Sequence, residues 1–391
     1  MNKKQLAGLF LCNFAPFVVG SGALPLLPVY AAALGAPPVV AGYYLAIAYL
    51  GLAVGTFAAG WVSDRVHHRR ALLVAGAGVG IPTLWWVGRM DRVWALMALT
   101  GFVWLVGGFS MALTQIVAGL TAPREARGQV YGVLGLAIGL GGLTGGLLTG
   151  PIVDRWGYPT MFAVLALFLA LWLVGAPLLG PGADAPAHPS EAATRRGRAR
   201  LGRSYGLLFA ASLVSSIAGF VSILGRSISM NALSMTATAI SSTGAIGSAA
   251  GLPLPLLVGR WSDRVGRTQF LLLSYLASTA GIVVLALSNS LWHFWVAVVL
   301  GTVGSTISST VGPALVTDLV PRETLGRGMG LYSATGWIGA VIGFSATGHA
   351  VQAMGMLPTL IAAAALPLIS IALLLPVHRA RTAAGLNVER A

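Results

Sequence analysis

The sequence predicts an all-α integral membrane protein whose twelve transmembrane helices form two pseudo-symmetric six-helix bundles. Three observations predict this fold class: the apolar composition, about twelve apolar runs at near-regular intervals, and a motif that recurs half a chain length apart. Only 9% of the 391 residues are charged and 56% are hydrophobic, with a mean hydropathy of +0.83, whereas soluble domains carry about 25% charged residues. This composition argues against a water-soluble fold.

The apolar runs are each about 20 residues long, which is enough to cross roughly 30 Å of hydrocarbon. The predicted spans cover residues 5–32, 39–61, 71–88, 93–119, 128–152, 158–180, 204–225, 235–258, 269–288, 291–317, 328–352 and 356–377. The segment between the sixth and seventh spans is rich in Pro, Ala and Arg and has no apolar face, which is typical of a flexible linker. The predicted domains are therefore a six-helix bundle over residues 1–180, a cytoplasmic linker over 181–203 and a second bundle over 204–391.

The basic residues predict the orientation of the chain. The net charge is +14, but the basic side chains lie in short connectors and form no basic domain, so we expect no nucleic-acid partner. If both termini are cytoplasmic, 20 of the 24 Lys and Arg residues lie inside, in agreement with the positive-inside tendency. The four outside are Arg89, Arg92, Arg155 and Arg226. We therefore expect a multi-pass protein of the cell membrane with both termini in the cytoplasm.

Residue types missing from the sequence exclude several other classes of protein. Lysine occurs only at Lys3 and Lys4, so no phosphate-binding loop ending in Gly-Lys-Ser/Thr exists. The single cysteine, Cys12, excludes an internal disulfide, a CxxC pair and a multi-cysteine zinc site. The chain also has no HExxH or GxSxG motif and no embedded pair of acids. We expect no enzyme activity, no cofactor and no metal site.

Two loop motifs recur at equivalent places of the two halves. GWVSDRVHHRR at residues 60–70 corresponds to GRWSDRVGRTQ at 259–269, an offset of 199. PREARG at 123–128 likewise corresponds to PRETLGRG at 321–328. Such self-similarity indicates an internal duplication, and parallel repeats of this kind are typical of transporters whose two bundles move around a central site.

The loop at residues 60–70 resembles the signature loop of the major facilitator superfamily, in which a Gly and three further residues precede Asp-Arg and a basic cluster. The resemblance covers essentially the whole chain, is closest to the twelve-span drug-efflux branch, and implies a secondary transporter that works by alternating access. It also implies that the two loops latch the cytoplasmic side closed, whereas on the alternative interpretation they are simply charged turns that obey the positive-inside rule. The implied gating residues are Gly60, Asp64, Arg65, Arg69, Gly259, Asp263, Arg264 and Arg267.

The two loop copies differ in one position that matters for the turn. Gly60 and Gly259 are each expected to end a helix and to allow a close backbone approach. In the first copy His67 stands where the family has Gly, so the resemblance does not define the geometry of that turn.

A continuous glycine face in the fifth span predicts close helix packing. Its glycines recur at intervals of three and four residues, and a sparser set follows in the eleventh span, which would also permit rocking. The fifth-span positions are Gly128, Gly132, Gly135, Gly139, Gly142, Gly146 and Gly150, and the eleventh-span positions are Gly336, Gly339 and Gly343. The family's antiporter motif would place Gly-Pro near Gly145 and Gly146, where this chain has Gly-Gly, which disfavours proton antiport.

The resemblance implies a substrate cavity lined mainly by spans 1, 4, 7 and 10. The candidate cavity residues are polar or aromatic: Asn13, Phe17, Tyr43, Trp104, Gln115, Tyr131, Phe220, Arg226, Ser305, Ser309 and Trp337. A mostly apolar and aromatic cavity suits an amphipathic or hydrophobic small molecule. Arg226 either binds an anionic group of the substrate or extends to the outer interface.

The acidic residues are all predicted to lie in loops or at helix ends, so no carboxylate in the middle of the membrane suggests a proton carrier. Asp318 is the candidate coupling residue, with an ordinary loop role as the alternative for that side chain. The outer histidines His293 and His349 are other candidates for coupling, and transport that is not proton-coupled in the usual manner is a further alternative. We expect a monomeric efflux transporter that contacts a small-molecule substrate and membrane lipids. Two alternatives stay open: uptake or exchange of a polar metabolite such as a sugar or organic acid, and a non-transporting membrane receptor or scaffold.

Overall fold

The computed structural model describes residues 2–123, 126–184, 201–321 and 324–388, apart from the side chains of Leu256, Arg260, Asp263, Val265 and residues 381–388. These residues form α-helices joined by short turns, and no strand occurs among them. The helices of the first half are α1 Lys3–Ala23, α2 Leu27–Ala33, α3 Pro38–Arg65, α4 Arg69–Val87, α5 Val93–Thr121, α6 Arg127–Leu169 and α7 Leu171–Leu178, followed by a 3-10 turn at Pro181–Asp184. Those of the second half are α8 Arg203–Ala232, α9 Ala237–Gly251, α10 Leu254–Val265, α11 Arg267–Ala286, α12 Leu291–Leu319, α13 Leu325–Met354 and α14 Met356–Val388.

Each predicted span has a helical counterpart. Nine helical segments of the described chain are long and apolar enough to cross a bilayer, one of them the 52-residue stretch Arg127–Leu178. That stretch covers the predicted fifth and sixth spans, and Gly157 divides it with a positive φ of 76°. The predicted eighth span corresponds to α9 and α10, and the predicted eleventh span corresponds to α13. The all-α membrane fold is confirmed.

Proline explains two of the breaks within spans. Pro25 lies between α1 and α2, and Pro253 lies between α9 and α10. A proline has no N–H to donate and its ring clashes with the preceding helical turn, so it kinks or ends a helix, and at Pro25 and Pro253 the helix ends. The predicted first and eighth spans are therefore each built from two helical pieces.

Contacts between helices divide the chain into two compact units. The first unit contains Met1–His188 and Ser227–Leu252, and the second contains Pro189–Arg226 and Pro253–Ala391. In the first unit α1 packs along α6, α3 along α5, and α9 along α6; in the second, α11 packs along α12 and α14. Helix α9 thus belongs to the second half of the sequence but to the first compact unit. The predicted domain boundaries at residues 180 and 203 stay a prediction.

Three predicted helix ends are wrong. Helix α8 continues to Ala232, so Arg226 lies within the helix and not beyond its end at residue 225. Helix α3 continues through Gly60 to Arg65, and α10 continues through Gly259 to Val265. A single glycine lowers helix stability by only about 1 kcal/mol, so backbone hydrogen bonding can run through it.

Candidate functional site

The first copy of the signature loop keeps its acidic residue exposed. Asp64 lies in the last turn of α3 and is exposed. The adjacent Arg65 folds back on its own helix, because its Nη1 donates to the carbonyl of Trp61 at 3.0 Å and its guanidinium lies 4.0 Å from the centre of the Trp61 ring. These contacts place a cation and an indole ring together at the end of α3.

The basic cluster of the first copy holds the segment that follows α7. Arg69 is 1% exposed. Its Nε donates to Ser63 Oγ at 2.7 Å, its Nη2 to the Ser63 carbonyl at 3.1 Å, and its Nη1 to the Ala183 carbonyl at 3.0 Å. Arg70 pairs with Asp184 through Nε at 2.6 Å and donates its backbone N–H to the same carboxylate at 3.1 Å. The two arginines therefore attach the 3-10 turn Pro181–Asp184 to the loop between α3 and α4.

The ion pair with Arg70 changes the titration of Asp184. Burial of the carboxylate by itself raises its pKa, but the hydrogen bonds and the positive charge of Arg70 outweigh this effect and lower the pKa below its ordinary value. Asp184 was not among the sequence-predicted site residues, because nothing in its local sequence indicates a partner 114 positions earlier.

The second copy of the loop turns more tightly than the first. A single residue, Gly266, separates α10 from α11 and adopts a positive φ of 108°. In the first copy three residues, Val66, His67 and His68, separate α3 from α4. A positive φ is strained for a residue with a Cβ, so His67 requires the longer connection. The departure at His67 thus has a structural consequence.

The candidate coupling residue is engaged by the second loop. Arg267 Nη1 donates to Asp318 Oδ1 at 2.7 Å and to the carbonyl of Ala314 at 2.9 Å. This ion pair joins the start of α11 to the last turns of α12. Arg264 is exposed, and the side chain of Asp263 lies outside the described part of the chain. A Cβ added at Gly60 or Gly259 would meet no other atom within 4 Å, so neither glycine serves a close helix contact.

Part of the predicted glycine face forms a close contact with α9. We call this contact the α6–α9 seam: Gly139 faces Leu252, Gly142 faces Ser248, Gly146 faces Ala245, and Gly150 faces Ser241 and Thr238. A Cβ at any of these four glycines would overlap its neighbour. In contrast, Gly128, Gly132 and Gly135 have open space beside them. The glycine pattern is thus confirmed as a packing surface over one half of its length.

Contacts of the same kind join corresponding helix pairs in the two compact units. In the first unit Gly145 of α6 lies against the carbonyl of Val18 on α1. In the second unit Gly343 of α13 lies against the carbonyl of Ile217 on α8. Ile217 and Val18 are 199 residues apart, which is the offset of the duplicated loops. The duplication is therefore also visible in the packing.

At one end of the α6–α9 seam, the carboxylate of Asp154 on α6 accepts hydrogen bonds from the first residues of α9. Asp154 accepts hydrogen bonds from the backbone N–H of Ala237 at 2.9 Å, from the backbone N–H of Thr238 at 2.8 Å and from Thr238 Oγ1 at 2.5 Å. Thr236 caps the same helix by accepting from the N–H of Ala239 at 3.2 Å. The first turn of α9 is thereby satisfied by two side chains. Asp154 was not among the sequence-predicted site residues and was expected in a loop or at a helix end.

Several candidate cavity residues pack helix against helix. Asn13 is 0% exposed and its Nδ2 donates to the carbonyl of Leu134 at 3.0 Å. Trp104 is 5% exposed. Phe17 lies beside Gly141, and the Phe220 ring lies 5.1 Å from the ring of Phe344.

The other candidates are more open. Ser305 and Ser309 are exposed one turn apart on α12, and each hydroxyl donates to a carbonyl three residues earlier. Tyr43 and Tyr131 are exposed, whereas Gln115, Trp337 and Arg226 are half-buried. Six candidates belong to the first compact unit: Asn13, Phe17, Tyr43, Trp104, Gln115 and Tyr131. The remaining five, Phe220, Arg226, Ser305, Ser309 and Trp337, belong to the second.

Comparison with known protein families shows to which family this chain belongs. A family model described as the Major Facilitator Superfamily matches residues 9–223 and again residues 204–390. The chain belongs to the Major Facilitator Superfamily. The two matches cover the two halves of the sequence in turn, and they confirm the resemblance that the loop at residues 60–70 carries.

Similar members of the superfamily include proteins named for drug resistance. The chain is 27% identical over 172 residues to the multidrug resistance protein MdtG of Klebsiella pneumoniae (strain 342), covering 43% of this chain and 41% of that protein. It is 28% identical over 170 residues to the multi-drug resistance efflux pump PmrA homolog of Lactococcus lactis subsp. lactis (strain IL1403), covering 42% of each. The matches thus span about two fifths of these relatives. An uncharacterized MFS-type transporter of Bacillus subtilis (strain 168), YhjO, is 26% identical over 77% of this chain and 74% of its own length.

Solved structures of other transporters share the fold. A mutant of the nucleoside transporter NupG superposes with a TM-score of 0.78 at 12% identity, covering 95% of this chain and 99% of that one. A bacterial homolog of the human lysosomal transporter Spinster superposes with a TM-score of 0.75 at 12% identity, covering 97% and 98%. At such low identity these likenesses concern the fold alone.

Proposed function

We propose that the protein is a monomeric secondary transporter that exports a small amphipathic or hydrophobic molecule across the cell membrane by alternating access. The observation that carries this proposal is the superfamily match over residues 9–390. Relatives named as multidrug resistance proteins favour efflux over uptake. The proposal includes two six-helix halves, residues 1–180 and 204–391, joined by a cytoplasmic linker at 181–203, with both termini in the cytoplasm.

The contacts of the acidic side chains favour a substrate without many polar groups. Among the residues that the structure describes, three carboxylates are committed to partners: Asp154 to the start of α9, Asp184 to Arg70 and Asp318 to Arg267. The open candidate positions carry hydroxyl or aromatic groups, such as Ser305, Ser309 and Tyr43. Side chains of these kinds bind a ligand through apolar surface and a few oriented hydrogen bonds.

Asp64, Arg65, Asp263 and Arg264 are proposed as the cytoplasmic gating residues. The exposure of Asp64 at the end of α3 leaves its carboxylate accessible for a contact that forms in one state of the transport cycle only. Arg69 has a supporting role in this proposal, because it ties Ser63, one residue before Asp64, to the turn after α7. This buried contact orients the end of α3.

Asp318 is proposed as the coupling group. Protonation of its carboxylate would remove the negative charge that Arg267 now faces at 2.7 Å. Arg267 would keep its hydrogen bond to the Ala314 carbonyl, but its charge-assisted bond to Asp318 would be weakened. The protonation state of Asp318 would in this way control a contact between two helices.

Flux measurements in proteoliposomes test the proposal. Purified protein should move a lipophilic fluorescent dye, and an imposed pH gradient should change the rate. Asp64→Asn should slow the flux without lowering the melting temperature, and Asp318→Asn should remove the response to the pH gradient. The matched control is Asp91→Asn, an exposed acid in the loop between α4 and α5. Transport of sugars or organic acids with no movement of lipophilic dyes would instead support the uptake alternative.

A further inference from the structure

A polar stripe runs along one face of α8. Its members, Ser212, Ser215, Gly219, Ser222 and Arg226, follow one another at intervals of three and four residues. Residues at this spacing share one face of a helix. Gly219 is exposed, and a Cβ added there would meet no other atom within 4 Å. Polar groups on a membrane-spanning helix face a protein interior or a water-filled cavity, since hydrocarbon disfavours them.

The other faces of α8 are covered within the second compact unit. Gly339 of α13 approaches Ser216, and Gly343 of the same helix approaches Ile217 and Phe220. Gly225, next to Arg226 in sequence, faces Leu360 of α14. These neighbours leave Gly219 exposed, with Ser215 and Ser222 half-buried on either side of it, whereas Ser212 is 6% exposed and lies at the covered end of the stripe.

Arg226 carries a charge into this stripe, and no described acid forms an ion pair with it. It lies six residues before the end of α8 at Ala232, which corresponds to about 9 Å along the helix axis. Its Nε is buried and has no hydrogen-bond partner anywhere in the described part of the chain. Arginine keeps its charge under ordinary conditions, and an embedded charge without an anion is expensive.

The acids whose side chains the structure describes are not placed to neutralise Arg226. Asp154, Asp184 and Asp318 are held by other partners. Asp64 and Asp91 are exposed at helix ends or in loops. Because none of these five acids neutralises the guanidinium of Arg226, an anionic group of a bound molecule could supply the counter-charge.

We propose that Arg226 recognises the anionic head group of an amphipathic substrate, a carboxylate or sulfonate, whose apolar body lies along the open face of α8. A guanidinium offers two parallel N–H donors that match a carboxylate, and Ser222, one turn earlier on the stripe, supplies a hydroxyl beside it. This inference rests on the proposed transport function and narrows its substrates to singly charged anionic amphiphiles. The same head-group chemistry occurs in anionic lipids, which the experiment must separate from a transported substrate.

Binding and flux of three probes with one shared apolar body test the inference. The probes are pyrenebutanoate, its methyl ester, and a pyrenebutyl trimethylammonium ion. Affinity is measured by energy transfer from the protein's tryptophans to pyrene, with the full chain in nanodiscs of zwitterionic phosphatidylcholine. The wild type should bind the carboxylate at least about tenfold more tightly than the ester, as expected for a charge-assisted hydrogen bond. Proteoliposomes of the same lipid should transport the carboxylate.

Variants separate charge recognition from folding. Arg226→Gln should weaken binding of the carboxylate about tenfold or more and leave binding of the ester unchanged, and Arg226→Lys should restore part of the loss. The matched control is Arg89→Gln, because Arg89 is exposed and bonded to its own helix through the Trp85 carbonyl at 2.8 Å. This control should bind all three probes as the wild type does.

Three results would overturn the inference. If wild-type protein binds and moves the ammonium probe but not the carboxylate, the transport function stands and the anionic substrate class fails. If Arg226→Gln loses affinity for ester and carboxylate alike, Arg226 is structural. If Arg226→Gln alters only the melting temperature, and only in nanodiscs that contain anionic phosphatidylglycerol, the counter-ion is a lipid. Failure of the wild type to move any of the three probes or lipophilic dyes would overturn the transport function itself.

Discussion

Removing the Asp154 carboxylate should loosen the outer end of the α6–α9 seam. In Asp154→Ala the backbone N–H groups of Ala237 and Thr238 lose their acceptor. The Thr238 hydroxyl loses the same acceptor, so three hydrogen bonds disappear in all. Loss of a helix cap costs about 0.5–2 kcal/mol. Three hydrogen bonds are lost together, which places the cost in the upper part of this range, and water around the exposed Thr238 keeps the cost from exceeding it. We therefore expect a cost of about 1–2 kcal/mol, equivalent to a factor of about 5–30 in the population of the open seam.

Cysteine labelling measures this opening directly. Cys12 is the single native cysteine and is buried, so Cys12→Ala provides a clean background. Ser241→Cys then places one thiol in the seam, at a position that is 1% exposed and faces Gly150. A membrane-impermeant maleimide added outside should react about 5–30 times faster when Asp154 is replaced by Ala, in line with a cost of about 1–2 kcal/mol.

A control substitution at Asp91 and a milder substitution at Asp154 test whether the labelling rate depends on this carboxylate. Asp91→Ala removes an exposed acid that is predicted to lie on the same side of the membrane, and it should leave the labelling rate unchanged. Asp154→Asn keeps one acceptor oxygen and should give an intermediate rate. Equal labelling rates in Asp154→Ala and the parent, with unchanged melting temperatures, would refute the claim that this carboxylate holds the seam closed.

Two further predictions follow from the packing and from the linker anchor. Gly146→Ala should lower the melting temperature, since its Cβ overlaps Ala245 and overpacking costs about 1–3 kcal/mol; Gly132→Ala, in open space on the same helix, should not, and equal losses would contradict the packing argument. The lowered pKa of Asp184 contributes stability that is present above about pH 4, the ordinary carboxyl value, and is lost as pH falls through the folded-state pKa. Arg70→Met should therefore melt below the wild type at about pH 7 by a difference that shrinks in acid, and a constant difference would count against the ion pair.

The bilayer explains why most of the fold could be predicted from the sequence. A spanning helix must satisfy its backbone internally and must be about 20 residues long, so apolar runs mark the helices directly. Proline and glycine residues indicate several places where a helix ends or kinks, such as Pro25, Pro253 and Gly157. The predicted end of α8 is wrong because a charged residue, Arg226, suggests a boundary in the sequence, whereas the helix continues past it.

The site contacts were harder to predict because they join distant parts of the chain. Asp154 is 83 residues from Ala237, and Arg69 is 114 residues from Ala183. Neither pair produces a pattern in the nearby sequence from which the contact could be predicted. The basic cluster that contains Arg69 was also consistent with a gating motif, so its structural contact with Ala183 was not expected. Asn13 shows the same limit, since a polar residue in a predicted cavity helix instead bonds a carbonyl of α6 within the packed interior. Spacing indicates which face a residue shares, but not which neighbour covers that face.

The anchoring of Asp184 and Ala183 by Arg70 and Arg69 has a mechanical consequence. Eighteen residues, 185–202, connect the anchored turn to the start of α8. Through the bonds of the two arginines the anchored turn is fixed to Ser63, the residue before Asp64, and to the start of α4. Shortening the segment 185–202 should therefore disturb the contacts of Arg69 and Arg70 beside the first copy of the duplicated loop.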